Sequence, residues 1–272
     1  MNALDLPLLI EPDVLENTLG YDNLLIIDLS KAETYRKLHI PGAVHLDYAQ
    51  ITAARKPVMG LLPGADILDA LFSSTGIDEQ THVVAYDDEG GGCAARLLWT
   101  LDMAGHTHFS LLNGGLHAWA NEGHAYTDEA ATPVTKQFHT RYNEQPSADS
   151  SYIKERLGNT DTCLLDVRSP LEYRGIKKFA ERGGHIPGAV NIEWTQMMDQ
   201  SRNLRFKPDD ELITLLESID VTPDKEVIVY CQTHHRSAHS YIVLKHLGFK
   251  QLKAYPGSWS DWGNNPDLPV EL

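Results

Sequence analysis

Short apolar runs rich in Val, Ile and Leu punctuate this chain: Leu24 to Ile27, Val83 to Tyr86 and Leu111-Leu112, then Leu164 to Val167, Val227 to Tyr230 and Leu252 to Tyr255. Each is too short for a helix and is bounded by polar or turn residues, which predicts buried strands. Between them, apolar residues recur at helical spacing, most clearly over Ala94 to Ala104 before Gly105 and Ala238 to Leu247 before Gly248. Both glycines suit a left-handed helix C-cap. Strands alternating with helices predict an α/β fold with a largely parallel sheet flanked by helices. The polar run around Ala130 to Ser151, with Pro133 and Pro146, predicts a linker.

The pattern occurs twice. Asp28-Leu29-Ser30, followed by Glu33, Tyr35 and Arg36, returns 138 positions later as Asp166-Val167-Arg168, followed by Glu172, Tyr173 and Arg174. His39-Ile40-Pro41-Gly42-Ala43-Val44 returns letter for letter at His185 to Val190. His39 follows Arg36 by three positions and His185 follows Arg174 by eleven, so the second copy carries eight additional residues there. Val83 to Tyr86 matches Val227 to Tyr230, and Trp119 and Trp262 follow Gly114 and Gly257 at equivalent places. A period this long fits a duplicated domain and not a solenoid. The expected division is residues 1–138 and 147–272, a reasonable share of 272 residues for two domains.

Composition is that of a globular protein, with 42% hydrophobic and 22% charged residues, so each half can bury its own core. No apolar run reaches the roughly 18 residues of a membrane span, and Met1 to Ile10 lacks a basic flank and is broken by Asp5 and Pro7, a poor signal peptide. Three well-separated cysteines argue against a disulfide framework and for a reducing, cytoplasmic setting. The net charge of −15 argues against a nucleic-acid partner. It is unevenly shared: residues 1–140 hold 7 Lys+Arg against 19 Asp+Glu, and residues 141–272 hold 16 against 19. Arg168, Arg174, Lys177, Lys178 and Arg182 form the one basic concentration, in the stretch that includes the extra residues; a solvated loop face is the plain expectation.

Cys231 is the candidate nucleophile. It closes the strand run ending at Tyr230 and opens the loop Gln232-Thr233-His234-His235-Arg236-Ser237 before a helix. Loop amides, the positive end of a helix, an arginine and two histidines all favour a thiolate there. In the first copy Asp87 stands in its place. Cys93 and Cys163 are expected to be small buried hydrophobes. His39 and His185 recur with and without the thiol, so they are expected to tie the backbone. Arg168 has only Ser30 as its counterpart, which makes it a candidate anion contact, and Trp194 is a candidate pocket wall. A cysteine phosphatase or arsenate reductase would read Cys-x5-Arg, whereas this loop is Cys-x4-Arg, with Ser237 at the arginine position. A zinc site from Cys231, His234, His235 and His239 would need adjacent ligands to converge. A non-enzymatic binding module is a third rival.

The duplicated half, the two His-Ile-Pro-Gly-Ala motifs, the Asp-Val-Arg-Ser segment and the Cys-headed loop together resemble the tandem-domain rhodanese (thiosulfate sulfurtransferase) family, over nearly the whole chain. The resemblance implies two tandem rhodanese-like domains, of which only the second keeps the catalytic cysteine. It implies a persulfide on Cys231, the loop from Gln232 through Ser237 as its cradle, Arg168 as a contact for the substrate anion, and no metal or organic cofactor. Thiosulfate users resemble Cys-Arg-Lys-Gly-x-Thr and mercaptopyruvate users Cys-Gly-Ser-Gly-x-Thr; this loop follows neither and resembles a variant of bacterial two-domain members. Thiosulfate is the expected donor, with 3-mercaptopyruvate the alternative. The expected acceptor is cyanide or a thiol, on a small molecule or a protein, and the expected state is a monomer without a membrane partner.

Overall fold

The structure, a computed structural model, describes Leu4 and residues 6–272. Part of the decapeptide weighed as a leader, Met1 to Ala3 and Asp5, lies outside the described residues. Two compact units divide the chain, each built on its own sheet. The first runs through Ile51, then Pro63–Asn143, then Asp199–Phe206; the second comprises Thr52–Leu62, Glu144–Met198 and Lys207–Leu272.

The first unit carries five parallel strands: β1 (Leu9–Ile10), β2 (Leu24–Asp28), β3 (Val44–His45), β4 (His82–Tyr86) and β5 (Phe109–Leu112), in the order β1-β5-β4-β2-β3. The second repeats four of them: β6 (Thr162–Asp166), β7 (Val190–Asn191), β8 (Glu226–Tyr230) and β9 (Leu252–Ala254), in the order β9-β8-β6-β7, again all parallel. Register repeats too, since Asp28 pairs with Tyr86 and Asp166 with Tyr230. The helices after β4 and β8, α1 (Gly92–Met103) and α2 (Arg236–His246), begin two residues earlier than helical periodicity predicts. A buried first turn has no amphipathic signal to mark it.

The recurring motif is structural in both units. Tyr35 and Tyr173 donate to the carbonyls of Ala43 and Ala189 at 2.8 and 2.6 Å. His39 and His185 stack on those tyrosines at 3.9 and 3.6 Å and bond their carbonyls through Nδ1. The amides of Ile40 and Ile186 donate to the hydroxyls of Tyr86 and Tyr230. Trp119 and Trp262, both 0% exposed, anchor equivalent cores against Ile26, Val84 and Tyr86 in one unit and Leu164, Ile228 and Tyr230 in the other. Each buries on the order of 200 Å² of ring, a contribution of about 5 kcal/mol before entropy.

Each unit also takes a segment from the other half of the sequence. Asp199–Phe206 belongs to the first unit, where the Arg205 guanidinium bridges Glu11 and Glu122 and the Phe206 amide donates to Asn113 Oδ1 at 2.8 Å. Thr52–Leu62 belongs to the second and forms an antiparallel arm, Ala53–Arg55 against Val58–Leu61.

Candidate functional site

Cys231 lies one residue past β8, 1% exposed, at the mouth of the loop that enters α2. A chain leaving a central strand for a helix must turn sharply here, and His234 takes up a left-handed φ of 55°. The turn at Gly257 fixes the backbone at the thiol. The Cys231 amide donates to Ser258 Oγ at 3.2 Å, the Trp259 amide donates to the Cys231 carbonyl at 2.9 Å, and the Ser260 amide donates to the Gln232 carbonyl at 3.0 Å. Ser258 adopts φ 50° to do this, backbone strain of the kind found at sites over-determined by their surroundings.

The arm braces the other side of the loop. The Met59 amide donates to Ser260 Oγ at 2.9 Å, and Gly60, at φ 74°, packs so close to Thr233 that a Cβ would meet its carbonyl oxygen at 2.0 Å. Gln232 donates through Nε2 to the Phe179 carbonyl at 3.1 Å, which ties the loop to the eight-residue insertion. Trp194 meets His235 and His239 edge-on at 5.7 and 5.2 Å, so the predicted wall residue stands beside the loop.

Ser237 Oγ donates to Cys231 Sγ at 3.3 Å, and the same oxygen lies 2.8 Å from His234 Nδ1. With the serine hydrogen on sulfur, His234 Nδ1 carries the hydrogen that completes the chain. Burial alone would push the Cys231 thiol up, but the Arg236 charge, the Ser237 hydroxyl and the amides of Ser237 and Thr233 bring it below its ordinary value. The other two thiols move the opposite way. Burial and the carboxylates of Asp87 and Glu89 raise Cys93, and burial raises Cys163 to about 11.

Arg236 acts at a distance. Its Nη1 and Nη2 donate to Glu172 at 2.8 and 2.9 Å, a fork-on-fork pair in which Glu172 is 3% exposed. Glu172 also closes a capping box with Ser169, so the helix Pro170–Tyr173 holds the carboxylate in place. Burial alone would raise Glu172, but Arg236 and then Ser169 hold its carboxyl at about 2, against an ordinary 4.5. Because the folded value is the lower one, this contribution is complete above about pH 4.5 and lost as pH falls through about 2. A difference of that size corresponds to about 3 kcal/mol. Glu172→Gln is expected to flatten the loss of stability over this window in urea titrations; an unchanged slope would refute the assignment.

Arg168 is turned onto groups of the protein itself. It is 1% exposed, grips Asp166 through Nε at 3.0 Å, donates through Nη2 to the Gly184 carbonyl at 2.7 Å, and packs 4.5 Å from the Trp259 ring centroid. The expected substrate contact finds no support in this geometry, because Arg168 supports the strand end from within. Its counterpart position is Ser30, whose amide donates to Asp28 as that of Arg168 donates to Asp166, and the Tyr86 hydroxyl donates to the other Asp28 oxygen. Glu172, Ser258 and the arm are the parts that sequence reasoning missed. The sequence signals were Gly60 within a short apolar run, a mark of close backbone approach, and Ser169-Pro170-Leu171-Glu172, a capping-box pattern.

In the first unit the equivalent loop is filled. Asp87 is 0% exposed, and its carboxylate accepts the amides of Glu89 at 3.0 Å, Gly91 at 2.8 Å and Ala94 at 3.0 Å. Loop amides thus converge on a carboxyl group where the second unit places sulfur, although burial and the Glu89 charge raise Asp87 above its ordinary value. Among the described residues, no three of Cys231, His234, His235 and His239 bring ligand atoms within 4.8 Å of one another. No helix among the described residues is long and apolar enough to cross a membrane.

Comparison with known proteins matches a rhodanese-like domain at residues 11–122 and again at 149–265. The chain is 46% identical over 268 residues to the thiosulfate sulfurtransferase of Pseudomonas aeruginosa, covering 98% of both chains. It is 45% identical over 267 residues to that of Azotobacter vinelandii, again covering 98% of both. A sulfur carrier protein of Thermus thermophilus, TtuD, is 34% identical over 247 residues, 85% of each chain. Among solved structures, the anaerobic ergothioneine biosynthesis enzyme of Chlorobium limicola superposes with a TM-score of 0.86 at 22% identity, covering 97% of this chain and 70% of that one. At that identity the likeness is one of fold.

Proposed function

The chain belongs to the rhodanese-like family, and from that premise we propose that it is a thiosulfate sulfurtransferase working through a persulfide on Cys231. One observation carries the assignment of the nucleophile: of the three cysteines, Cys231 is the one whose surroundings favour the thiolate. Near-full-length likeness to two thiosulfate sulfurtransferases supports the donor.

The Cys231 thiolate attacks the outer sulfur of thiosulfate, the donor S–S bond breaks, and sulfite leaves with the electron pair. The outer sulfur of the resulting persulfide then accepts attack by cyanide or a thiolate, and the pair returns to Cys231. Gln232, Thr233, His234 and His235 form the cradle, with the amides of Thr233 and Ser237 and the Ser237 hydroxyl directed at sulfur. Arg236 supplies positive field from its seat on Glu172, and Trp194 walls the loop. Charge-assisted bonds of this kind contribute about 1.5–3 kcal/mol each, so two or three outweigh the desolvation of one sulfur anion. The phosphatase reading loses ground, because the loop is one residue shorter than Cys-x5-Arg and Arg236 is forked onto Glu172. Three free thiols support a reducing, cytoplasmic setting, and two units in one chain support a monomer.

The test is intact-mass spectrometry after incubation with thiosulfate, and separately with 3-mercaptopyruvate, followed by cyanide. The expected result is a gain of one sulfur from thiosulfate, mapped to Cys231 and removed by cyanide. Loading by 3-mercaptopyruvate alone would reassign the donor, and no loading from either would overturn the reading.

A further inference from the structure

The eight residues that separate the two copies lie beside the thiol loop. Gln232 donates to the Phe179 carbonyl, so the insertion is bonded to the residue next to the nucleophile. Its outer face is apolar and basic at once. Ile176 is 68% exposed, Phe179 56% and neighbouring Leu171 47%. Lys177, Lys178 and Arg174 are exposed among them, with the Lys177 ammonium 4.9 Å from the Phe179 ring centroid.

The base of this segment is fixed. Arg182 turns inward and donates to the carbonyls of Leu268, Trp262 and Asn265, its own carbonyl accepts Trp259 Nε1 at 3.0 Å, and the Glu181 amide donates to Asn264 Oδ1 at 2.9 Å. Lys177 is bonded through its amide to the Leu171 carbonyl at 2.9 Å. The apolar side chains are therefore presented on a braced platform and not on a loose loop.

We propose that the surface formed by Leu171, Ile176, Lys177, Lys178 and Phe179 docks a protein sulfur acceptor, whose thiol lies on an acidic segment with flanking apolar side chains. The proposal rests on the sulfurtransferase reading of the same site. Two observations fix the kind of partner. The platform is an island of positive charge on a chain of net charge −15, so an acidic segment about its own size is attracted locally, while the extended plane of an anionic membrane meets the repulsion of the whole molecule. The platform also occurs only in the copy that carries the thiol, bonded to the loop that holds it, so a docked segment is placed at the sulfur. In the transfer, the acceptor thiolate attacks the outer sulfur of the persulfide, the S–S bond to Cys231 breaks, and the pair returns to Cys231. The acceptor leaves as a persulfide, and no oxidant is needed.

The experiment uses the full chain, loaded with thiosulfate, freed of donor and followed in single turnover. Three acceptors are compared: cyanide, an acidic peptide Asp-Glu-Leu-Cys-Leu-Glu-Asp, and its basic counterpart with lysine at the four charged positions. The acidic peptide is expected to discharge the protein roughly tenfold faster than the basic one at low salt, an advantage that fades with added salt. Lys177→Glu/Lys178→Glu is expected to remove that advantage and Ile176→Ser to reduce it, while discharge by cyanide, mostly uncharged at neutral pH, stays as it was. Equal rates for the two peptides, with cyanide still active, overturn the docking surface alone; failure of cyanide to discharge overturns the sulfurtransferase reading. Salt-sensitive co-sedimentation with phosphatidylserine vesicles, abolished by the same double variant, would identify a lipid surface and also overturn the protein partner.

Discussion

Cys231→Ser is expected to leave a folded protein that no longer gains sulfur from thiosulfate, with turnover lower by at least about a thousandfold. Oxygen for sulfur is a small volume change at a site 1% exposed, and the Ser237 hydroxyl retains a hydrogen-bonding partner there. The chemistry does not survive, because an alcohol in the same field stays protonated where the thiol ionises. Intact mass and near-ultraviolet circular dichroism on one sample separate the two effects. Sulfur uptake by the serine variant would move the nucleophile elsewhere, and Cys93 and Cys163 are poorly suited because burial keeps both protonated.

Gly60→Ala is expected to damage activity from a position far from Cys231 in sequence. A Cβ there meets the carbonyl oxygen of Thr233 at 2.0 Å and its carbonyl carbon at 2.6 Å. Both are backbone atoms of the cradle, so either the arm lifts or the loop moves. A displacement near 1 Å at a positioned loop costs on the order of a hundredfold in rate. Gly188→Ala is the control, because it shares a positive φ of 77° but has no atom within 4 Å. It is expected to cost about 1 kcal/mol of stability and little activity. Equal activities for the two variants would show that the arm does not support the loop.

Much of the fold was legible because the sequence states it twice. The His-Ile-Pro-Gly-Ala repeat, read against a first copy with no thiol, identified His39 and His185 as structural, and both stack on a tyrosine in the same way. The placement of Cys231 between a strand and a helix was legible because that context is local. For Arg168 the structure adds a partner that comparison of the two copies does not report. Comparison with Ser30 marked it as special to the thiol copy, and its partner, Asp166, lies two residues away and under the strand end, where the two charges compensate. Glu172 was noted only as one half of a repeated glutamate. Its partner is 64 residues distant, and no periodicity reports a pairing of that kind. The arm was hidden for the same reason, since Met59 and Ser260 are 201 positions apart.

The exchange of segments between the halves sets the order in which the protein can be finished during synthesis. A nascent chain that has emerged as far as Asn143 still lacks Asp199–Phe206, and with it the Arg205 bridge between Glu11 and Glu122. The first unit therefore lacks that bridge until residues well past its own sheet have been translated. The second already has its arm, Thr52–Leu62, waiting in the finished part of the chain. A gene cut between the repeats would yield two products, each missing a segment that only the other encodes.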